Sequence, residues 1–132
     1  MKLKQECVRY VLLSLEEQGF EMTQQGAQLP DIQSALANDH FSNDDISYTL
    51  LQLMDGKYIN AKYEKYNVGF SLIVYDITWK GHELLDSIRD NKVWENTKKA
   101  TKQLKSVSIG ILSNVASAVL TSMIKQATGL PL

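Results

Sequence analysis

The side chains able to do chemistry are few and scattered. The chain has two histidines, His40 and His82, and one cysteine, Cys7. Asp76, His82 and Glu83 are close in sequence, the one stretch where carboxylates and an imidazole suggest a metal centre or an acid–base pair. A metal needs three or four converging ligands, however, and two from one turn are a weak start. His82 and Glu83 read more simply as first-turn helical residues, with Glu83 favoured there by the helix dipole. Cys7 lies on an apolar helical face with no base nearby in sequence, so it reads as a small core residue rather than a nucleophile. A single cysteine excludes an internal disulfide and a multi-cysteine metal site. No glycine loop for phosphate is evident, because Gly110 and Gly129 follow no strand. The expectation is a protein that is not an enzyme and uses no metal or cofactor.

Composition agrees with an ordinary globular protein: 132 residues, 44% hydrophobic and 22% charged, enough for one domain plus an appendage. The net charge of -1 conceals a split. Residues 1–90 hold 8 Lys/Arg against 14 Asp/Glu, and residues 91–132 hold 6 Lys against one acid. An acidic body with a basic tail argues against a domain that grips nucleic acid over its whole surface. The first residues show Lys2 and Lys4 but no apolar run or cleavage signature, so the cytoplasm is the expected location.

The elements that must position any site follow from periodicity. Leu3, Cys7, Val8, Val11, Leu12 and Leu15 make one stripe of a helix over about residues 2–18, stopped by Gly19, with Phe20 folding back on its last turn. Residues 21–28 read as a loop with room for a short strand. Pro30 opens a second helix, about 31–38, with Ile32, Ala35 and Leu36 inward. Ser42 caps a third, with Asp45 at the capping-box position, Ile46, Leu50, Leu53 and Met54 inward, and Gly56 at its end. Two strand-like runs, 57–66 and 70–77, flank Asn67-Val68-Gly69 as a hairpin loop. Thr78 caps a fourth helix with Leu84, Leu85 and Ile88 inward. A helix-turn-helix followed by a hairpin is the winged pattern. The predicted fold is mainly α with a small β-hairpin: a winged helix-turn-helix domain over 1–90, then C-terminal helices over 91–132.

Nucleic-acid binding is judged on the third helix, the element such folds insert in the major groove. Its outward positions are Asn43, Asp44, Asp45, Ser47, Tyr48 and Gln52, with no Lys or Arg to meet phosphates. The wing offers Lys62, Tyr63, Lys65 and Tyr66, which suit either a groove contact or the protection of a strand edge. Lys98, Lys102 and Lys105 share a helical face that reads as solvated, as phosphate-binding, or as an anchor beside an anionic membrane. Residues 106–124 carry no charge at all. Within them Ile109, Leu112, Ala116, Val119 and Met123 alternate by 3 and 4, as in a coiled-coil seam. Self-association, packing onto the chain's own helices, and membrane contact are the three readings of that segment. Membrane insertion is the least favoured, because Asn114 and several hydroxyls sit at its centre.

The run Tyr75-Asp76-Ile77-Thr78-Trp79-Lys80-Gly81-His82-Glu83, with Leu85-Asp86, Ile88-Arg89-Asp90 and Trp94, resembles a family of short phage and prophage proteins from Gram-positive bacteria, known only as a domain of unknown function. Met1-Lys2-Leu3, Cys7-Val8-Arg9 and Gly56-Tyr58-Ile59 are similar to it as well. The spacing Thr78, Gly81, Leu84, Leu85 also resembles the segment after the wing in many winged-helix proteins. The resemblance implies a phage or prophage accessory role and carries over no catalytic or binding residue. The resulting expectation is a homo-oligomeric protein-interaction module, possessing a bacterial or phage protein partner and regulating or countering host defence. The alternatives are a DNA-binding regulator using the wing and the Lys98–Lys105 face, and a membrane-associated protein.

Overall fold

The computed structural model describes residues 2–19, 25–129 and 131. The packing of Phe20 against the first helix therefore lies outside the described residues. Among these residues nine elements follow in order: α1 (Gln5–Gln18), β1 (Ala27–Gln28), α2 (Leu29–Ala35), α3 (Asn43–Asp55), β2 (Ile59–Lys65), β3 (Phe70–Ile77), α4 (Trp79–Arg89), α5 (Asn91–Thr101) and α6 (Ile109–Thr128). The chain is mostly helical with a three-stranded antiparallel sheet of order β1-β3-β2.

Helix boundaries follow their caps. Ser42 Oγ accepts from Asp45 N at 3.1 Å while Asp45 Oδ2 accepts from Ser42 N at 3.0 Å, closing the capping box of α3. Gly56 ends α3 as expected, in right-handed conformation, and the left-handed residue is the next one, Lys57, at φ 66°. Lys57 N then donates to Met54 O and Tyr58 N to Leu53 O, the paired bonds of a Schellman ending. Gly56 is needed for space, since a Cβ there would lie 2.7 Å from the Tyr58 ring. The same turn delays β2, which starts at Ile59 rather than Lys57. In α2 the helix begins two residues earlier than predicted, because Pro30 fits inside its first turn.

The core gathers around α1. Cys7, Val8, Val11, Leu12 and Leu15 are buried against Ile32, Ile46, Leu50, Leu53, Leu84, Leu85 and Ile88. Trp94, Val107, Ile109, Leu112 and Ala116 belong to the same cluster, so α5 and the first half of α6 pack onto α4 and α1.

The junction between hairpin and α4 is tight. Tyr58 O accepts from Thr78 N at 3.0 Å, and Thr78 Oγ1 donates to Lys57 O at 2.7 Å while accepting from Gly81 N at 3.1 Å. A Cβ on Gly81 would lie 2.0 Å from Tyr58 O and 2.6 Å from Ile77 Cγ2. Gly81→Ala is therefore expected to destabilise the fold by roughly 2–3 kcal/mol. Gly110, in open space with only Ser108 Oγ at 3.9 Å, takes alanine with no loss and up to about 1 kcal/mol gained. Urea midpoints of the two variants check this, and equal midpoints would remove the close approach as a constraint.

Candidate functional site

Among the described residues no group of three or more His, Cys, Asp and Glu side chains is placed to hold a metal ion. Asp76 is bonded to Asn60 across the hairpin, Glu83 is exposed, and His40 sits on the turn between α2 and α3. Cys7 is buried, and burial pushes its thiol up, away from the nucleophilic thiolate. A hollow of about 670 Å³ lies along α1 and is lined by Glu6, Arg9, Tyr10, Glu17, His40 and Phe41 among others. Three of its polar side chains, Glu6, Arg9 and Tyr10, are engaged within the fold. Arg9 Nε donates to Ile88 O at 2.8 Å and Nη2 to Arg89 O at 3.1 Å, covering the end of α4, with the guanidinium 5.4 Å from the Trp94 ring centre. Tyr10 Oη donates to Leu36 O, and Glu6 accepts from Lys98 and from the Trp94 indole.

The surfaces offer more than the hollow. On α3, Asp45 is drawn into the cap and into an ion pair with Lys4 at 3.0 Å, and these bonds hold its carboxyl below the usual range. Ser47 is held by Gln33 and Asn43. What α3 presents outward is Asn43, Asp44 and Asp55, with no cation.

The predicted cationic face does not form as a single stripe. α5 ends at Thr101, whose hydroxyl turns back to Thr97 O, and the chain then runs through buried Val107 to the Ser108 cap of α6. Lys98 lies on α5, Lys102 at its end and Lys105 in the connection. Lys98 is paired with Glu6 at 3.0 Å and Glu95 at 3.3 Å, and both raise its pKa. Lys102 and Lys105 are exposed.

The seam on α6 divides likewise. Ile109, Leu112 and Ala116 are buried by the chain's own helices, which withdraws them from any intermolecular contact. Val119 and Met123 are only half-buried, Ile124 is 38% exposed, and no residue beyond Ala116 on α6 is buried. No helix among the described residues is long and apolar enough to cross a membrane.

On the wing, Lys62 pairs with Glu64 at 3.1 Å, Tyr66 Oη donates to Glu64, and Lys65 is exposed. Tyr63 and Phe70 rings stack at 5.4 Å on the same side of the sheet, both partly open to solvent, and Val68 at the tip is 92% exposed. Trp79, at the start of α4, is 81% exposed. Phe70, Val68 and Trp79 were not among the expected contact residues, because residue type alone does not show how much of a strand end, a loop tip or a first helical turn stays open to solvent.

These features define a small α+β protein whose polar interior groups are spent on structure and whose unusual surfaces are an aromatic hairpin and an uncharged helix end. The chain belongs to the family described as "Hypothetical protein (DUF2513)", which matches residues 2–108. It is also similar to an "Uncharacterized protein" of Haemophilus influenzae, 34% identical over 127 residues that cover 94% of this chain and 99% of the relative. That match extends beyond residue 108 into α6. Neither description speaks of a phage or of a Gram-positive source. No solved structure matches.

One ion pair ties α1 to α4. The Arg89 guanidinium grips both Glu16 oxygens, Nη2 to Oε2 at 2.9 Å, and holds that carboxyl below its ordinary value. A carboxyl with a lowered folded pKa stabilises the fold at neutral pH, and that contribution is lost as pH falls below about 4.3. Arg89→Ala should therefore lower the urea midpoint at pH 7 and flatten its decline between pH 5 and 3. Parallel curves for variant and parent would show that the pair adds nothing.

Proposed function

We propose that this protein is a winged-helix interaction module that binds protein rather than DNA, is not an enzyme, and self-associates through the outer half of α6. The order α1-β1-α2-α3-β2-β3 with β1 added to the hairpin is the arrangement expected of a winged helix, with α3 in the place of the groove-reading helix. The observation that carries the reading is the surface of that helix. Asp44 and Asp55 face outward, Asp45 is committed to its cap, and no Lys or Arg stands on α3 to neutralise a phosphate. α6 supports self-association in a narrower form than its full seam: from Ser117 onward its surface is small or apolar up to Lys125, with Val119, Met123 and Ile124 incompletely covered. A further partner, a bacterial or phage protein in the cytoplasm, is what the family resemblance adds.

The second reading, a DNA-binding regulator, draws on Lys65 and the aromatic wing. Two measurements separate them. Fluorescence anisotropy with duplex DNA at low salt should show no binding up to about 100 μM protein. Sedimentation should show concentration-dependent association of the full chain that Met123→Glu with Ile124→Glu reduces. Salt-sensitive DNA binding abolished by Lys65→Ala, with sedimentation unchanged by the α6 substitutions, would replace the first reading by the second.

A further inference from the structure

We propose that the outer edge of β2 pairs antiparallel with β2 of a second copy, joining two three-stranded sheets into one of six strands. This surface is separate from α6. Among the described residues β2 stands at the edge of the sheet, so one side of its backbone has no strand beside it. Tyr66 N donates to Gly69 O, and the register pairs Glu64 with Ser71 and Lys62 with Ile73. By the alternation of antiparallel ladders, residues 62, 64 and 66 turn their backbone groups toward β3. Ala61, Tyr63 and Lys65 therefore present theirs outward. The irregularity at Asn60/Ala61 ends the flat stretch on one side and the hairpin loop ends it on the other.

The side chains of this edge are complementary to themselves. A two-fold axis through Tyr63 sets Tyr63 opposite Tyr63 of the second copy, with their outward N–H and C=O groups exchanging both bonds. Ala61 then meets Lys65 of the second copy in the same manner. Lys62 falls opposite Glu64 of the second copy, and Glu64 opposite its Lys62, in the non-hydrogen-bonded pairs where side chains approach closest. Within one chain Lys62 and Glu64 already neutralise each other at 3.1 Å, so the edge does not repel an incoming copy as a lone lysine does. On the other face, Tyr63 (41% exposed), which lies against the Phe70 ring of its own chain, loses solvent against Tyr63 of the second copy. The interface is isologous, as closed two-fold dimers require.

Charge exchange tests this without touching the core, since both side chains are about half exposed. Lys62→Glu places glutamates opposite glutamates, and Glu64→Lys places lysines opposite lysines. Each is expected to raise the dissociation constant about tenfold in sedimentation at low salt. An equimolar mixture of the two variants restores opposite charges at every position and should regain the wild-type association. Performed in the chain carrying Met123→Glu and Ile124→Glu, the exchange reads the strand contact alone, so its failure and a failure of the α6 contact appear as separate losses. Single variants that associate like the parent, or a mixture that stays as weak as its components, would overturn the strand pairing.

Discussion

Everything outward on this molecule depends on how closely α4 lies on the base of the hairpin. Gly81 passes so near Tyr58 O that no side chain fits between them. Thr78 spans the same gap, bonding Lys57 O and the Gly81 amide at once. Lys80 adds a third tie, donating to Gly56 O while standing 4.5 Å over the Tyr58 ring. Together these bonds fix the end of α3, the root of the wing and the first turn of α4 as one unit. The projection of Tyr63, Phe70 and Val68 is thus set by the junction rather than left to a flexible ribbon, which alone is only marginally stable.

Part of the charge is spent inside the fold. Lys98 meets Glu6, joining the basic tail to the acidic body, while Arg89 meets Glu16 and Lys4 meets Asp45 within the body. Most of these pairs are partly solvated, and their energetic weight is modest. Their effect on the surface is larger, because they remove cations that would otherwise be offered to a polyanion. The remaining exposed features are an acidic α3, a hairpin with self-cancelling charges, an uncharged helix end, and the tail lysines Lys92, Lys99, Lys102 and Lys105. The first three offer little to a phosphate backbone, and the hairpin and the helix end suit a copy of the same chain.

Local rules carried much of the architecture. The capping box at Ser42, the stop at Gly19, the Thr78 cap and the two hairpin strands are each short-range, and residue type alone announces them. What escaped was not announced by residue type. The left-handed turn after α3 falls on Lys57 rather than on the glycine before it, and Gly56 lies close under the Tyr58 ring. The lysine stripe broke because Val107 is pulled into a core built by α1. Spacing alone made Ile109 through Met123 one seam, whereas the length of α4 and α5 decides how far along α6 that seam is covered. The candidate surfaces were half legible: Lys62, Lys65 and Tyr66 were marked by type, but the pairing of Lys62 with Glu64 only has meaning once β2 is known to be the edge strand.

The central claim is that this chain acts through its own copies at the hairpin and the outer half of α6, leaving α3 unused as a DNA reader. Hydrogen exchange across a protein concentration series, with and without duplex DNA, tests it most directly. Amide protection is expected to grow with concentration at residues 61–65 and along 117–126, and to stay unchanged on α3 when DNA is added. Protection independent of concentration, together with DNA-dependent protection of residues 43–55, would contradict it.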